Sequence, residues 1–112
     1  MQKITFDLLR SVDSATFTGT YVPVGTPLTF PVSILKFVNN SSVLVTVSID
    51  GVNGYDVLPA TSYSVYDEGT NHANDHVWMS KGTQFYVNGT VGTGLFYVVC
   101  QYIIPNPSIT GL

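Results

Sequence analysis

Apolar and polar residues alternate with a period of two along most of the chain, the spacing of strands with one buried face. Ile4, Phe6 and Leu8 share a face opposite Thr5 and Asp7. Residues 15–24 set Thr16, Thr18 and Thr20 against Phe17, Gly19 and Tyr21, until Pro23, Gly25 and Pro27 break regular pairing. Phe30, Val32 and Ile34 alternate into Leu35 and Phe37, with Pro31 marking an edge or a bulge. Val43, Val45, Val47 and Ile49 form the cleanest stripe, between a predicted hairpin turn at Asn39-Asn40-Ser41-Ser42 and an Asp50-Gly51 turn.

The second half repeats the pattern. Residues 55–58 form a short strand that stops at Pro59. Tyr63, Val65 and Asp67 then alternate with Ser62, Ser64 and Tyr66, and 68–75 is a polar loop. Val77-Trp78-Met79 is a short strand closed by Lys81-Gly82, and Phe85 and Val87 alternate with Gln84, Tyr86 and Asn88. Gly89, Gly92 and Gly94 mark a turn, and residues 95–104 are apolar on both faces, which places that strand centrally in a sheet. No stretch carries a 3.6-residue stripe. About eight short strands predict an all-β fold, an antiparallel β-sandwich or small barrel with jelly-roll or immunoglobulin-like wiring.

The 112 residues make one domain over 1–112, with a tail at 105–112 that contains Pro105 and Pro107. Charged residues are 10% of the chain, against about 25% in an average soluble domain. A hydrophobic fraction of 45% argues against intrinsic disorder. Four Lys and Arg with a net charge of −3 supply no cationic patch, so no nucleic-acid partner is expected. No run approaches a membrane span, and residues 1–7 lack the pattern of a signal peptide, so a soluble protein made in a cytoplasm is expected. The Asn39, Asn40 and Asn88 sequons then fall in polar turns with no glycan implied.

The residues that could carry chemistry do not converge. Cys100 is alone, inside an apolar run, and reads as a buried small hydrophobe. There is no G-x-S-x-G elbow. His72 and His76 have zinc-helix spacing, but Ala73 stands where the general base belongs and the segment is not helical. Asp67, Glu68, Asn71 and Asp75 could face a hard cation, yet their spacing matches no calcium loop and turn formation explains them as well. The seven acids include no spacing that singles out a glycosidase pair. The expectation is a non-enzyme with no catalytic residue, no metal site and no cofactor.

The aromatics are more informative. Tyr63 and Tyr66, Phe85 and Tyr86, and Phe96 and Tyr97 fall on opposite faces of their strands, with Tyr102 next to Ile103. Either they fill a two-sheet core, as expected for Trp78, or some are displayed on a charge-poor surface as an interface or a sugar platform.

One stretch also has a familiar order. Phe37-Val38-Asn39-Asn40 leads through 43–49 to Asp50-Gly51, then Leu58-Pro59-Ala60, then Asp67 and Asn71, then Lys81-Gly82-Thr83, and ends on Gly94-Leu95-Phe96-Tyr97-Val98. Over residues 30–104 this resembles the small β-sandwich virion proteins of tailed bacteriophages. The resemblance implies a structural role without a cofactor, most simply a capsid decoration or accessory protein in the virion, made in the host bacterial cytoplasm. Its partners would be the major capsid protein or another virion protein, and copies of itself, with a trimer favoured. Segment 16–29, which the resemblance covers least, is expected to be an arm or edge that docks on a partner. A receptor- or carbohydrate-binding module of a tail fibre or tip, or a head–tail connector or tail-tube subunit, are the alternatives. The carbohydrate reading predicts a cleft with Tyr or Trp flanked by Asp or Asn.

Overall fold

Strict alternation does build strands. The computed structural model describes residues 3–67 and 79–104. In chain order the strands are β1 (Lys3–Phe6), β2 (Arg10–Asp13), β3 (Val22–Pro23), β4 (Ile34–Ser41), β5 (Val45–Ser48), β6 (Asp56–Leu58), β7 (Ser62–Asp67), β8 (Tyr86–Asn88) and β9 (Gly94–Ile104). They form two antiparallel sheets: β1-β9-β4-β7 with β2 also on β9, and β3-β8-β5-β6. From β4 onward the chain crosses between the sheets after β4, β6, β7 and β8, the order of a double Greek-key jelly roll in which β1 and β2 share the first position. The predicted β-sandwich is therefore present, with nine strands among the described residues, and of the two expected wirings the jelly roll is the one adopted.

The inner faces follow the pleat. In the first sheet Leu35 pairs with Cys100, Phe37 with Val98 and Asn39 with Phe96, and all six are buried. The second sheet contributes Val45, Val47, Leu58 and Val87. Phe37 is the hub between them. Its ring meets Phe85 edge-on at 5.4 Å and Tyr66 edge-on at 5.8 Å, and lies 6.0 Å from Phe96. Each such buried ring contributes about 1.5–3 kcal/mol of transfer free energy. Cys100 lies in this core, fully buried, and desolvation pushes its thiol up to about 11, as expected of an inert apolar filler.

Four local expectations are corrected. Residues 15–24 are not one strand. The Asp13 carboxylate accepts from the Ala15 N–H at 2.9 Å and caps a 3-10 turn at Ser14–Thr16, so only Val22–Pro23 pairs. Of the arm or edge expected at 16–29 only the edge is present: β3 ends its sheet, while Phe17, Val24 and Leu28 are buried in the core. Before β4, Pro31 offers no N–H, and Val32 makes a single bridge to Met79 before the ladder starts at Ile34. The hairpin turn lies past Asn39-Asn40. Asn39 and Ser41 stay in β4 because the Asn39 amide turns inward and binds backbone there. The 68–75 loop, Val77 and Trp78 of the short strand, and the 105–112 tail lie outside the described residues.

Two glycines make turns possible. Gly51, at φ +77°, completes the Asp50-Gly51 reversal as predicted. Gly94, at φ +95°, opens β9 where a Cβ would stand 2.3 Å from the Asn40 carbonyl oxygen.

Candidate functional site

Opposed residues in an antiparallel ladder share a face, so the strand registers define both outer surfaces. On the first sheet one row runs Tyr63, Val38, Tyr97, Ser11. The next runs Val65, Lys36, Val99. A third runs Asp67, Ile34, Gln101, Phe6, and Ile103 with Ile4 follows beyond it. Tyr63 is 69% exposed, Phe6 65% and Val65 50%. This face is Tyr, Val, Ile and Phe, with Lys36 and Asp67 as its charged members in those rows.

The second sheet is different. Its outward rows set Thr46 between Asn88 and Val57, and Ser48, buried beneath the Asp50 turn, beside Tyr86, which in turn faces Pro23. One outer face is thus apolar and the other mixed and polar. The sequence signal for this was the two-faced apolar character of 95–104, which puts Leu95, Tyr97, Val99 and Ile103 outward once Phe96, Val98 and Cys100 take the core.

A second feature opens between the sheets, at the edge where β6 and β7 lie. An apolar cavity of about 190 Å³ has Leu35, Phe37, Val47, Met79 and Phe85 in its floor and walls. Ile49 and the tyrosines Tyr55 and Tyr66 stand exposed at its mouth, with Asp56 beside them. Both tyrosine rings are pinned through their hydroxyls. The Tyr55 hydroxyl donates to Asp50 Oδ2 at 2.9 Å, and the Tyr66 hydroxyl donates to Asp56 Oδ2. Asp56 Oδ2 also accepts from the Ser64 hydroxyl at 3.2 Å, and its Oδ1 from the Val57 N–H at 2.8 Å.

Asp50 organises its own turn. Its Oδ1 accepts from the backbone N–H groups of Asn53 and Val52 at 2.9 and 2.8 Å and from the Ser48 hydroxyl at 2.8 Å. The Asn53 amide donates to Oδ2 at 3.0 Å. These donors hold the carboxyl well below the usual carboxylate range. Bonding to Asp50 raises the Tyr55 phenol, whereas burial first and bonding to Asp56 second raise Tyr66. Among the described residues the ion pair is Arg10 with Asp7, so neither Asp50 nor Asp56 has a cationic partner there.

The sequence-predicted positions divide accordingly. Tyr63 and Tyr66 do take opposite faces: Tyr63 joins the outer face and Tyr66 the cavity mouth. Phe85 and Phe96 point inward, and their neighbours Tyr86 and Tyr97 outward. Tyr102 stacks on Phe30, ring centroids 4.0 Å apart. Of the acidic loop, Asp67 ends β7, and Glu68, Asn71 and Asp75 lie outside the described residues with His72 and His76. No metal-ligating cluster occurs among the described residues. The Asp50–Tyr55 and Asp56–Tyr66 bonds were not anticipated. Asp50 followed by Asn53 carries an Asx-turn signal, but nothing in the spacing tells that Tyr55 closes back on it.

No family model matches the chain, and no curated protein does. Among solved structures the chain is similar to one described as "Bacillus endospore appendages form a novel family of disulfide-linked pili". The alignment covers 91% of this chain and 89% of that one, with 13% identity and a TM-score of 0.47. That neighbour is a bacterial appendage protein and not a phage decoration protein.

Proposed function

We propose that this chain is a non-enzymatic structural subunit that works by burying the outer face of its β1-β9-β4-β7 sheet against protein. The observation that carries the reading is the asymmetry of the two sheets. A face holding Tyr63, Val65, Val38, Tyr97, Val99, Ile34 and Phe6 lies opposite one that mixes Thr46 and Asn88 with Val57, Tyr86 and Pro23. Contiguous apolar surface of this kind marks an interaction site, and a typical stable interface takes about 800 Å² from each partner. The finer reading is a decoration or accessory protein of a bacteriophage virion, assembled in the host cytoplasm onto a shell protein or into a homo-oligomer. It draws on the sequence resemblance over residues 30–104 and is compatible with a charge-poor, Tyr-rich face.

The test is a paired measurement on wild type and the double variant Tyr63→Ser, Val65→Glu. Both residues sit outward on β7, so the core is untouched. Light scattering behind a sizing column gives the mass in solution, and co-sedimentation with purified phage shells gives virion binding. The reading expects a closed oligomer or shell binding for wild type, and loss of whichever occurs in the variant. A wild type that stays at 12.1 kDa and does not sediment with shells overturns it.

A further inference from the structure

We propose that the cavity between β6 and β7 is a docking site for a partner protein segment that carries an apolar or aromatic side chain flanked by a cation. This rests on the reading of the chain as a subunit that acts through protein contacts, but it uses a surface separate from the outer sheet face. Three features converge. The first is size and polarity. The walls are Leu35, Phe37, Val47, Met79 and Phe85, and the volume is about 190 Å³. Apolar cavities of about 150 Å³ accept a benzene ring and exclude water.

The second is preorganisation. An exposed tyrosine ordinarily samples several rotamers, and fixing it on binding costs free energy. Tyr55 and Tyr66 are already fixed by Asp50 and Asp56, so the mouth is formed before any ligand arrives. The third is charge. Asp56 lines the mouth and Asp50 is bonded to Tyr55 beside it, and neither has a cationic partner among the described residues, on a chain of net charge −3. An anionic ligand is repelled there. A Lys or Arg next to the inserted side chain is drawn by the net negative charge at the rim, which needs no free acceptor, and meets the face of a tyrosine ring.

A polar sugar would leave its hydroxyls against the apolar walls. It would find Asp50 and Asp56 already engaged by internal donors. The cavity therefore fits a peptide better than the pyranose that the aromatic content first suggested.

The probes are three capped peptides, with central sequences Arg-Phe-Arg, Glu-Phe-Glu and Arg-Ala-Arg, titrated into the full chain by calorimetry. Chemical shifts of Tyr55, Tyr66 and Met79 are followed in parallel. The expected result is saturable binding of Arg-Phe-Arg, with the other two at least about tenfold weaker and with affinity falling as salt rises. Asp56→Asn keeps an acceptor for Ser64 and Tyr66 but removes the charge, and should weaken binding about fivefold. Tyr55→Ala should weaken it about tenfold. Val57→Ala, on the outward face of the same strand, should leave it unchanged.

Equal binding of all three peptides, no binding at millimolar concentration, or saturable binding of methyl glycosides in place of peptide overturns the proposal. So does a site that exists only after Trp78→Ala, because the cavity would then belong to the chain's own indole. The Tyr63→Ser, Val65→Glu variant should retain peptide binding, which separates failure here from failure of the outer-face reading.

Discussion

Removing the Arg10 guanidinium should cost this domain a large part of its stability. Arg10 is 2% exposed, and its three nitrogens donate to three backbone carbonyls: Thr26 at 2.6 Å, Leu8 at 2.7 Å and Pro27 at 2.8 Å. The Asp7 carboxylate lies 3.5 Å away, its side chain 4% exposed, and also accepts from the Thr29 hydroxyl and the Leu8 N–H at 2.6 Å each. One side chain thus ties the start of β2 to the 26–29 crossing and to the link between β1 and β2. Arg10→Ala leaves three carbonyls and a largely buried carboxylate without that partner. Breaking a buried pair from one side costs about 3–5 kcal/mol. Domains of this size hold about 5–15 kcal/mol in total.

In urea, with a slope near 2 kcal/mol/M, the midpoint should fall by about 2 M with the slope unchanged. Arg10→Lys keeps the charge but cannot fork to three carbonyls, so it should recover less than half of the loss. The double variant Asp7→Asn, Arg10→Met should be milder than the two single effects added, because no charge is then left buried without its partner. A loss below about 1 kcal/mol for Arg10→Ala, the range of an ordinary surface change, would refute the reasoning. So would an Arg10→Lys protein as stable as wild type.

Two further outcomes are expected. Asn39→Ala removes a fully buried amide that donates to the carbonyls of Val43, Leu58 and Pro59 at 2.9–3.0 Å and accepts from Ser41. The urea midpoint should report a loss of about 2–4 kcal/mol, and Asn39→Asp should be worse at neutral pH because it sets a carboxylate against those carbonyls. Stability should also fall in acid. Burial alone would raise the Asp7 carboxyl, but Thr29, Leu8 and Arg10 bring it below its ordinary value, and its turn donors lower Asp50. The folded state therefore binds protons less readily than the unfolded chain. The contribution of both groups is complete above about pH 4 and is lost as pH falls through the folded values. A urea midpoint that is flat between pH 6 and pH 2 would contradict this.

The strand faces were legible wherever the alternation was strict and local. Val45 and Val47 in the core, the opposite faces of Tyr63 and Tyr66, the Asp50-Gly51 turn and the central position of 95–104 all follow from the local pattern, whereas the outward turn of Tyr63 and Val65, with Ser62 and Ser64 inward, does not. What failed had a shared cause, long-range satisfaction of polar groups. Asn39 looks like a turn residue by type, yet its amide finds carbonyls 19 and 20 residues away and so belongs in a strand. Arg10, by composition a surface residue, is buried because carbonyls 16 and 17 residues away supply acceptors. Asp13 breaks the alternation at 15–24 by capping a turn, and Phe17 then leaves the expected strand to enter the core. A cleft of Tyr flanked by Asp is what the carbohydrate reading expects, and the cavity mouth has that composition, but its place was not legible, because it depends on two sheet edges meeting, which no pairwise spacing encodes.

The low charge of the chain takes on a specific meaning once the two outer faces are compared. An antiparallel sandwich can leave both outer faces to water, and alternation then places polar residues outward on each. The second sheet follows this rule in part, with Thr46 and Asn88 outward beside Val57. The first does not, although its inner face is as well filled: Phe37, Phe96 and Val98 line one side while Val38, Tyr97 and Val99 line the other. Side chains of that kind contribute nothing to folding a monomer if they stay wet, since about 25 cal/mol per Å² is gained only on removal from water. The same β7 strand shows how the chain divides its contacts. Its outward residues Tyr63 and Val65 extend the apolar sheet, while its inward Tyr66 is held at the mouth of a preformed cavity by a carboxylate from the opposite sheet. A strand that needed only to close the sandwich would require neither, and this is the ground on which partners are proposed for both surfaces.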